Sequence, residues 1–250
     1  MSHGAHPLSV IAESSAYATR RLVVVLCRPE QPRNVGSILR ACANFGVDEL
    51  VVVAPVFDWD EPENQRLITV ASAGGRDFVH VVRCVATIAE ALGCSRYVVG
   101  CTTRSRHNRE LVALSAFSEK LSTKAEQYFP LALMFGCESQ GLNSDEINHC
   151  HELLRIESTP EFSSLNIGHA VAVVLHCICL ALRDEESRTA CGDETVLSTV
   201  EDRERLIDLL GEESFPLPQS KSQMRSLLGR SCPTKDEMSL LYSLVRRRVK

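Results

Sequence analysis

No apolar run in the 250-residue sequence is long enough to cross a bilayer. The longest, Ala170 to Leu182, is 13 residues and is interrupted by His176, short of the roughly 18 that a spanning helix requires. The eleven cysteines, scattered from Cys27 to Cys232, include no CxxC pair. Their odd number, with no apolar signal sequence, points to a reducing, cytoplasmic setting in which most are core thiols. The full G-x-G-x-x-G fingerprint is also missing, so an oxidoreductase on a dinucleotide-binding turn loses its phosphate cradle. There is no internal repeat and no low-complexity tract. What remains, at 44% hydrophobic and 24% charged, is an ordinary folded chain, and disordered and fibrous classes are excluded.

Residues 1–20 hold a single acid, Glu13, among Ser and Ala. They read as a flexible N-terminal segment, with a cleaved transit peptide as the alternative. The net charge of −5 conceals a strong segregation: residues 184–213 carry eleven acids against three bases, and residues 219–250 eight bases against two acids. The basic tail ends in Arg246, Arg247, Arg248 and Lys250, and a second basic cluster is Arg96, Arg104, Arg106 and Arg109. Phosphate contact and plain solvated faces both explain such runs.

From residue 22 to 182 apolar runs of strand length alternate with helical patterns, the signature of a mainly parallel sheet covered on both faces. Strands are predicted at 22–27, 49–54, 78–82, 96–101, 130–135 and 152–156. Helices are predicted at 35–45, capped by Asn34 and stopped by Gly46, and at 65–72, 85–92, 114–126 and 143–149. Residues 164–183 form a helix apolar nearly all the way round, which must be buried against the sheet or a second subunit and suggests a dimer. An α/β domain over 21–183, an acidic linker at 184–197 and a helical extension at 198–250 complete the organisation.

Three segments carry candidate chemistry at the strand ends, where open α/β sheets bind ligands. They are Asn34-Val35-Gly36 leading to Arg40, Phe135-Gly136-Cys137-Glu138 running to Gly141-Leu142, and Glu161-Phe162-Ser163-Ser164-Leu165-Asn166. Singly, each has a bland reading: a surface arginine, a loop acid, and Ser164 as a helix N-cap. Together, N-x-G-x3-R, FGxExxGL and E-F-S-S-L-N resemble the three signature motifs of the SpoU/TrmH class of SPOUT RNA 2′-O-methyltransferases. The spelling CHELLRIESTPEFSSLN is similar to the branch that methylates the ribose of tRNA nucleotide 32. The resemblance runs from about Arg21 to Arg183 and continues more weakly through the C-terminal helices.

That resemblance implies a mainly parallel sheet closed by a C-terminal trefoil knot, an exception to the usual absence of knots. It also implies a homodimer, an RNA substrate and S-adenosylmethionine as cofactor. The cofactor would be held by Cys101, Thr102 and Thr103, by Gly136, and by Ile156, Ser163, Ser164 and Leu165. Glycine at 136 would allow the backbone to approach the ligand closely. Asn34 and Arg40 would meet the substrate ribose and phosphate, Arg40 across the dimer, with Glu138, Ser164 and Asn166 around the reacting centre. Arginine holds its proton at neutral pH, so Arg40 is assigned to positioning and charge stabilisation. Cys101 stands where a hydroxyl residue is common in the family, and Cys137 where arginine or asparagine is.

No metal site is expected: His149-Cys150-His151 has the right residue types but no closing partners. His169 and His176 are read as hydrogen-bonded core histidines. Ribosomal RNA is the alternative substrate to tRNA, and a non-catalytic RNA-binding or ribosome-assembly factor is the alternative class.

Overall fold

A computed structural model describes residues 21–79, 81–103, 109–159, 161, 163–186, 197–212 and 218–247. Seven strands form one sheet: β1 (Leu22–Cys27), β2 (Glu49–Val53), β3 (Val81–Val85), β4 (Tyr97–Cys101), β5 (Leu111–Ala113), β6 (Leu131–Phe135) and β7 (Glu152–Arg155). The order is β3-β2-β1-β6-β4-β7-β5, and every pairing is parallel. The central strands are buried along their whole length because helices cover both faces.

Successive residues point to opposite faces, and β1 divides accordingly. Leu22, Val24 and Leu26 join a core with α1 (Pro32–Asn44), α2 (Pro62–Ser72), α4 (Leu114–Lys124) and α6 (Ile167–Glu186). Val23, Val25 and Cys27 join a second core with α3 (Ile88–Leu92) and α5 (Ser144–Asn148). Each fully buried Val or Leu contributes about 1.5–3 kcal/mol. Motif glycine Gly36 serves this packing: a Cβ there would lie 2.4 Å from the Ile68 carbonyl oxygen and 2.6 Å from Ala71 Cβ, so only glycine lets α1 and α2 come so close.

Three further helices, α7 (Val200–Glu212), α8 (Pro218–Ser231) and α9 (Lys235–Arg247), enclose their own core of Leu206, Ile207, Leu228 and Met238. This unit is docked firmly. The Val200 and Glu201 amides donate to the Ser95 and Gly93 carbonyls at 2.7 and 3.1 Å, and Asn148 donates to the Ser222 hydroxyl at 2.7 Å.

Several expectations change. The α1 helix starts at Pro32 after Gln31; proline at a first helical position is pre-organised for that place, so Asn34 lies inside the helix and is not its cap. Gly46, at φ 66°, follows the helix end as expected. The third strand is 81–85 rather than 78–82, and the three-residue edge strand β5 was not anticipated. The long helix is 167–186 and enters the segment read as linker; the rest of that segment up to residue 196 lies outside the described residues. Within its own chain it is covered on one side only: His169, Val173, His176, Leu180 and Arg183 form an exposed stripe, so neither histidine belongs to the core of the chain itself. Of the ten described cysteines, four are buried and none is disulfide-bonded.

Candidate active site

A cavity of about 500 Å³ opens at the carboxyl ends of β4, β6 and β7, within the size range of small-ligand sites. Its wall contains Cys101, Thr102 and Thr103 after β4, Gly136 and Glu138 after β6, and Ile156, Ser163, Ser164, Leu165 and Asn166 after β7. Asn34, from the first turn of α1, completes the set. Phe135, Leu154, Ile167 and Ala170 add apolar wall. Every predicted site residue therefore lines one cavity except Arg40, which is exposed on α1 and outside the lining.

The motif side chains hold one another. Glu138 accepts from the Asn34 amide at 2.8 Å and from the backbone N–H groups of Glu30 and Gln31 at 2.8 and 3.3 Å. Asn34 Oδ1 accepts a long bond of 3.4 Å from Asn166, whose own Oδ1 accepts from the Gly168 amide at 2.9 Å. This last contact makes Asn166, not Ser164, the cap of α6, satisfying a donor that the helix start leaves open. Glu138 thus spends both oxygens on positioning the β1–α1 turn. Ser139 donates to Glu30, and this bond holds the Glu30 carboxyl below its usual range.

Gly136 is required by the chain itself. A Cβ there would fall 2.0 Å from the Gly141 carbonyl carbon and 2.1 Å from the Leu142 nitrogen, so a side chain would strike the protein's own turn before any ligand. Gly141 sits at φ +69°, where glycine is also favoured. Burial pushes the Cys101 thiol well up, so it is a wall group rather than a nucleophile.

Sequence reasoning missed Arg28 and Glu146. Arg28 makes a two-pronged ion pair with buried Glu146 at 2.6 and 2.9 Å, a contact between residues 118 apart that no local pattern signals. The basic cluster around residue 100 is also reassigned in part. Arg109 is buried and donates to the carbonyls of Ile147, Cys150 and His151, and Arg96 donates to the Phe129 carbonyl. Arg104 and Arg106 lie outside the described residues. His151 is buried, accepts from the Val98 amide at 2.9 Å and stacks on Tyr97. Among the described residues no group of three or more His, Cys, Asp or Glu is placed to hold a metal, and no helix is long and apolar enough to cross a membrane.

Residues 21–176 match the SpoU rRNA Methylase family. The chain is 32% identical to the tRNA (cytidine/uridine-2′-O-)-methyltransferase TrmJ of Citrobacter koseri, over 89% of this chain and 93% of that protein. The crystal structure of TrmJ from Z. mobilis ZM4 superposes with a TM-score of 0.75 at 26% identity, covering 91% of this chain and 99% of the other. A structure concerned with 2-OH methylation of C/U34 on tRNA superposes at 0.50 with 27% identity, covering 68% of this chain and 99% of the other.

Proposed function

This chain belongs to the SpoU rRNA methylase family, and we propose that it is an S-adenosylmethionine-dependent tRNA 2′-O-methyltransferase acting on the ribose of nucleotide 32. The observation that carries this reading is the convergence of all three motifs on one cavity at the strand ends. The cavity fits the cofactor by size and by its mixed wall: Phe135, Leu154, Ile156 and Leu165 offer apolar cover, and the turns at 101–103, 136–141 and 163–166 would hold it. Bound cofactor supplies a methyl group already activated by its sulfonium, so the chain is asked for alignment and proton removal.

Asn34 and Asn166 stand at the mouth of that cavity with their amides oriented by Glu138 and the α6 start, pre-organised to position a ribose hydroxyl. Ser164 lines the same wall. Arg40, outside its own cavity, would serve the partner's site in a homodimer, for which the exposed apolar residues Val173 and Leu180 on α6 supply a face. The same reading places the three turns in a trefoil knot, the end of the α/β domain at the end of α6 and the start of the helical extension near residue 197, and the enzyme in the cytoplasm.

The test is incubation with unmodified tRNA, with ribosomal RNA and with S-adenosylmethionine, followed by mapping of ribose methylation by mass spectrometry. A 2′-O-methyl group at tRNA position 32 is expected. Methylation at position 34 or in ribosomal RNA would overturn the substrate assignment, and cofactor binding without transfer to any RNA would favour a non-catalytic RNA-binding factor.

A further inference from the structure

Arg28 does not line the cavity, yet it grips the turn that does. It leaves β1 at φ 52°, in the left-handed region that non-glycine residues occupy only where their surroundings over-determine them. Its guanidinium meets Glu146 through Nε at 2.6 Å and Nη2 at 2.9 Å. Nη2 also donates to the Gly141 carbonyl at 3.1 Å, and Nη1 reaches Cys137 Sγ at 3.5 Å. Cys137 and Gly141 are the two ends of the turn that closes with a 2.8 Å bond from the Gly141 amide to the Cys137 carbonyl, and all five of its residues line the cavity.

The anchor for this grip is rigid. Glu146 is 2% exposed, and its Oε2 also accepts from the Asn143 amide at 2.6 Å within a capping box at the start of α5. The pairing with Glu146 raises the Arg28 pKa, so the fork stays charged. Resting on the reading of the cavity as a cofactor site, we propose that Arg28 is a positioning residue for the cofactor, holding both ends of the 137–141 turn in register with the end of β1. A lysine cannot take its place, because one ammonium cannot bond a carboxylate edge and the Gly141 carbonyl in the fixed fork that arginine offers.

A merely structural ion pair makes a different prediction, and a double substitution separates the two. Arg28→Met leaves Glu146 buried without a countercharge, whereas Arg28→Met with Glu146→Gln removes that unpaired charge. In the double variant thermal stability is expected to recover over Arg28→Met. Its S-adenosylmethionine dissociation constant, measured by calorimetry, should stay about tenfold above wild type for want of the bond to Gly141. Amide exchange at 138–141 in the ligand-free protein should be about tenfold faster than in wild type. Arg28→Lys, which keeps a charge against Glu146, should show the same faster exchange if the methionine variants fail to fold. Affinity that returns together with stability, or exchange that is unchanged, would overturn the assignment. Wild-type protein that does not bind the cofactor would count against the cavity reading instead, and the exchange experiment on free protein would still decide the role of Arg28.

Discussion

Replacing Gly136 with alanine adds one methyl group where the chain has no room for it. The new carbon would sit 2.0 Å from the Gly141 carbonyl carbon, 2.1 Å from the Leu142 nitrogen and 2.2 Å from the Gly141 oxygen, against an ordinary contact of about 3.5–4.0 Å. The obstacle is backbone on every side, so the 136–142 turn must move by more than about 1 Å. Overpacking of this kind costs about 1–3 kcal/mol, and a backbone obstacle places this site near the upper figure. For a chain of this length that corresponds to a fall in Tm of roughly 6–12 °C. The displaced turn is cavity wall, so S-adenosylmethionine affinity measured by calorimetry should fall by more than about tenfold, a loss of about 1.4 kcal/mol. Gly36→Ala is the control. It meets Ile68 and Ala71 between two helices, so it should lower Tm while leaving the dissociation constant within about twofold of wild type, under about 0.5 kcal/mol. Wild-type affinity and Tm in Gly136→Ala would refute the claim that turn packing shapes the site, and equal losses in both variants would show the effect to be global.

Burial and the neighbouring Arg203 hold the His151 pKa well below its usual value, so the unfolded chain takes up a proton that the folded chain refuses. Stability is therefore fully present above about pH 6.5 and lost as pH falls below it, by up to about 1.4 kcal/mol per pH unit from this residue. His151→Gln should flatten Tm against pH between about 5 and 6.5, and an unchanged slope would show that other groups carry it. In the helical extension Lys221 and Arg225 are already spent on Asp208 and Glu204 at 3.1 and 2.9 Å. Neutralising Arg246, Arg247 and Arg248 to Gln should accordingly reduce the slope of log K against log salt for tRNA by about 0.7–0.9 for each phosphate that goes unneutralised, and Lys221→Gln should not; equal slopes would reduce the extension to a packing unit. Mixing Arg40→Ala protein with Gly136→Ala protein should restore about a quarter of wild-type activity, because half the dimers would be mixed and each would hold one intact composite site. No recovery, or a fully active monomer by light scattering, would place Arg40 in its own protomer's site.

The sheet was legible because a strand covered on both faces is spelled as a continuous apolar run, and LVVVLC at 22–27 and LALMF at 131–135 became β1 and β6. Leu111–Ala113 escaped notice because three residues at a sheet edge carry no usable period. Asn34 was misread as a cap because its residue type suits one, although Pro32 two places earlier marked the first helical position more directly. The cavity wall was legible where motif spelling carried it, in Glu138, Ser164, Asn166 and the three turns. Arg28, Glu146 and the burial of Arg109 were not, since each depends on pairing between distant segments. At Gly136 the missing Cβ also makes room for Leu142 and Gly141, a packing reason that the motif spelling does not signal.

Phosphate groups of an RNA substrate call for cations that the described wall of the cavity does not itself supply. Among the described residues the cavity wall includes two carboxylates, Glu30 and Glu138, and neither lysine nor arginine. Two arginines near the site are committed elsewhere, Arg28 to Glu146 and Gly141 and Arg109 to the Ile147, Cys150 and His151 carbonyls, whereas Arg33, beside Asn34, is exposed outside the lining. A polyanion at this cavity would meet those two carboxylates, while phosphate binding calls for arginine or lysine at the backbone. Arg40 is exposed on the helix that begins at the cavity and packs beside α6, whose outer stripe carries Val173 and Leu180. A two-fold contact through that stripe is self-complementary. It would cover the apolar residues, and in the homodimer proposed above the partner's Arg40 would supply a cation that the described cavity wall does not.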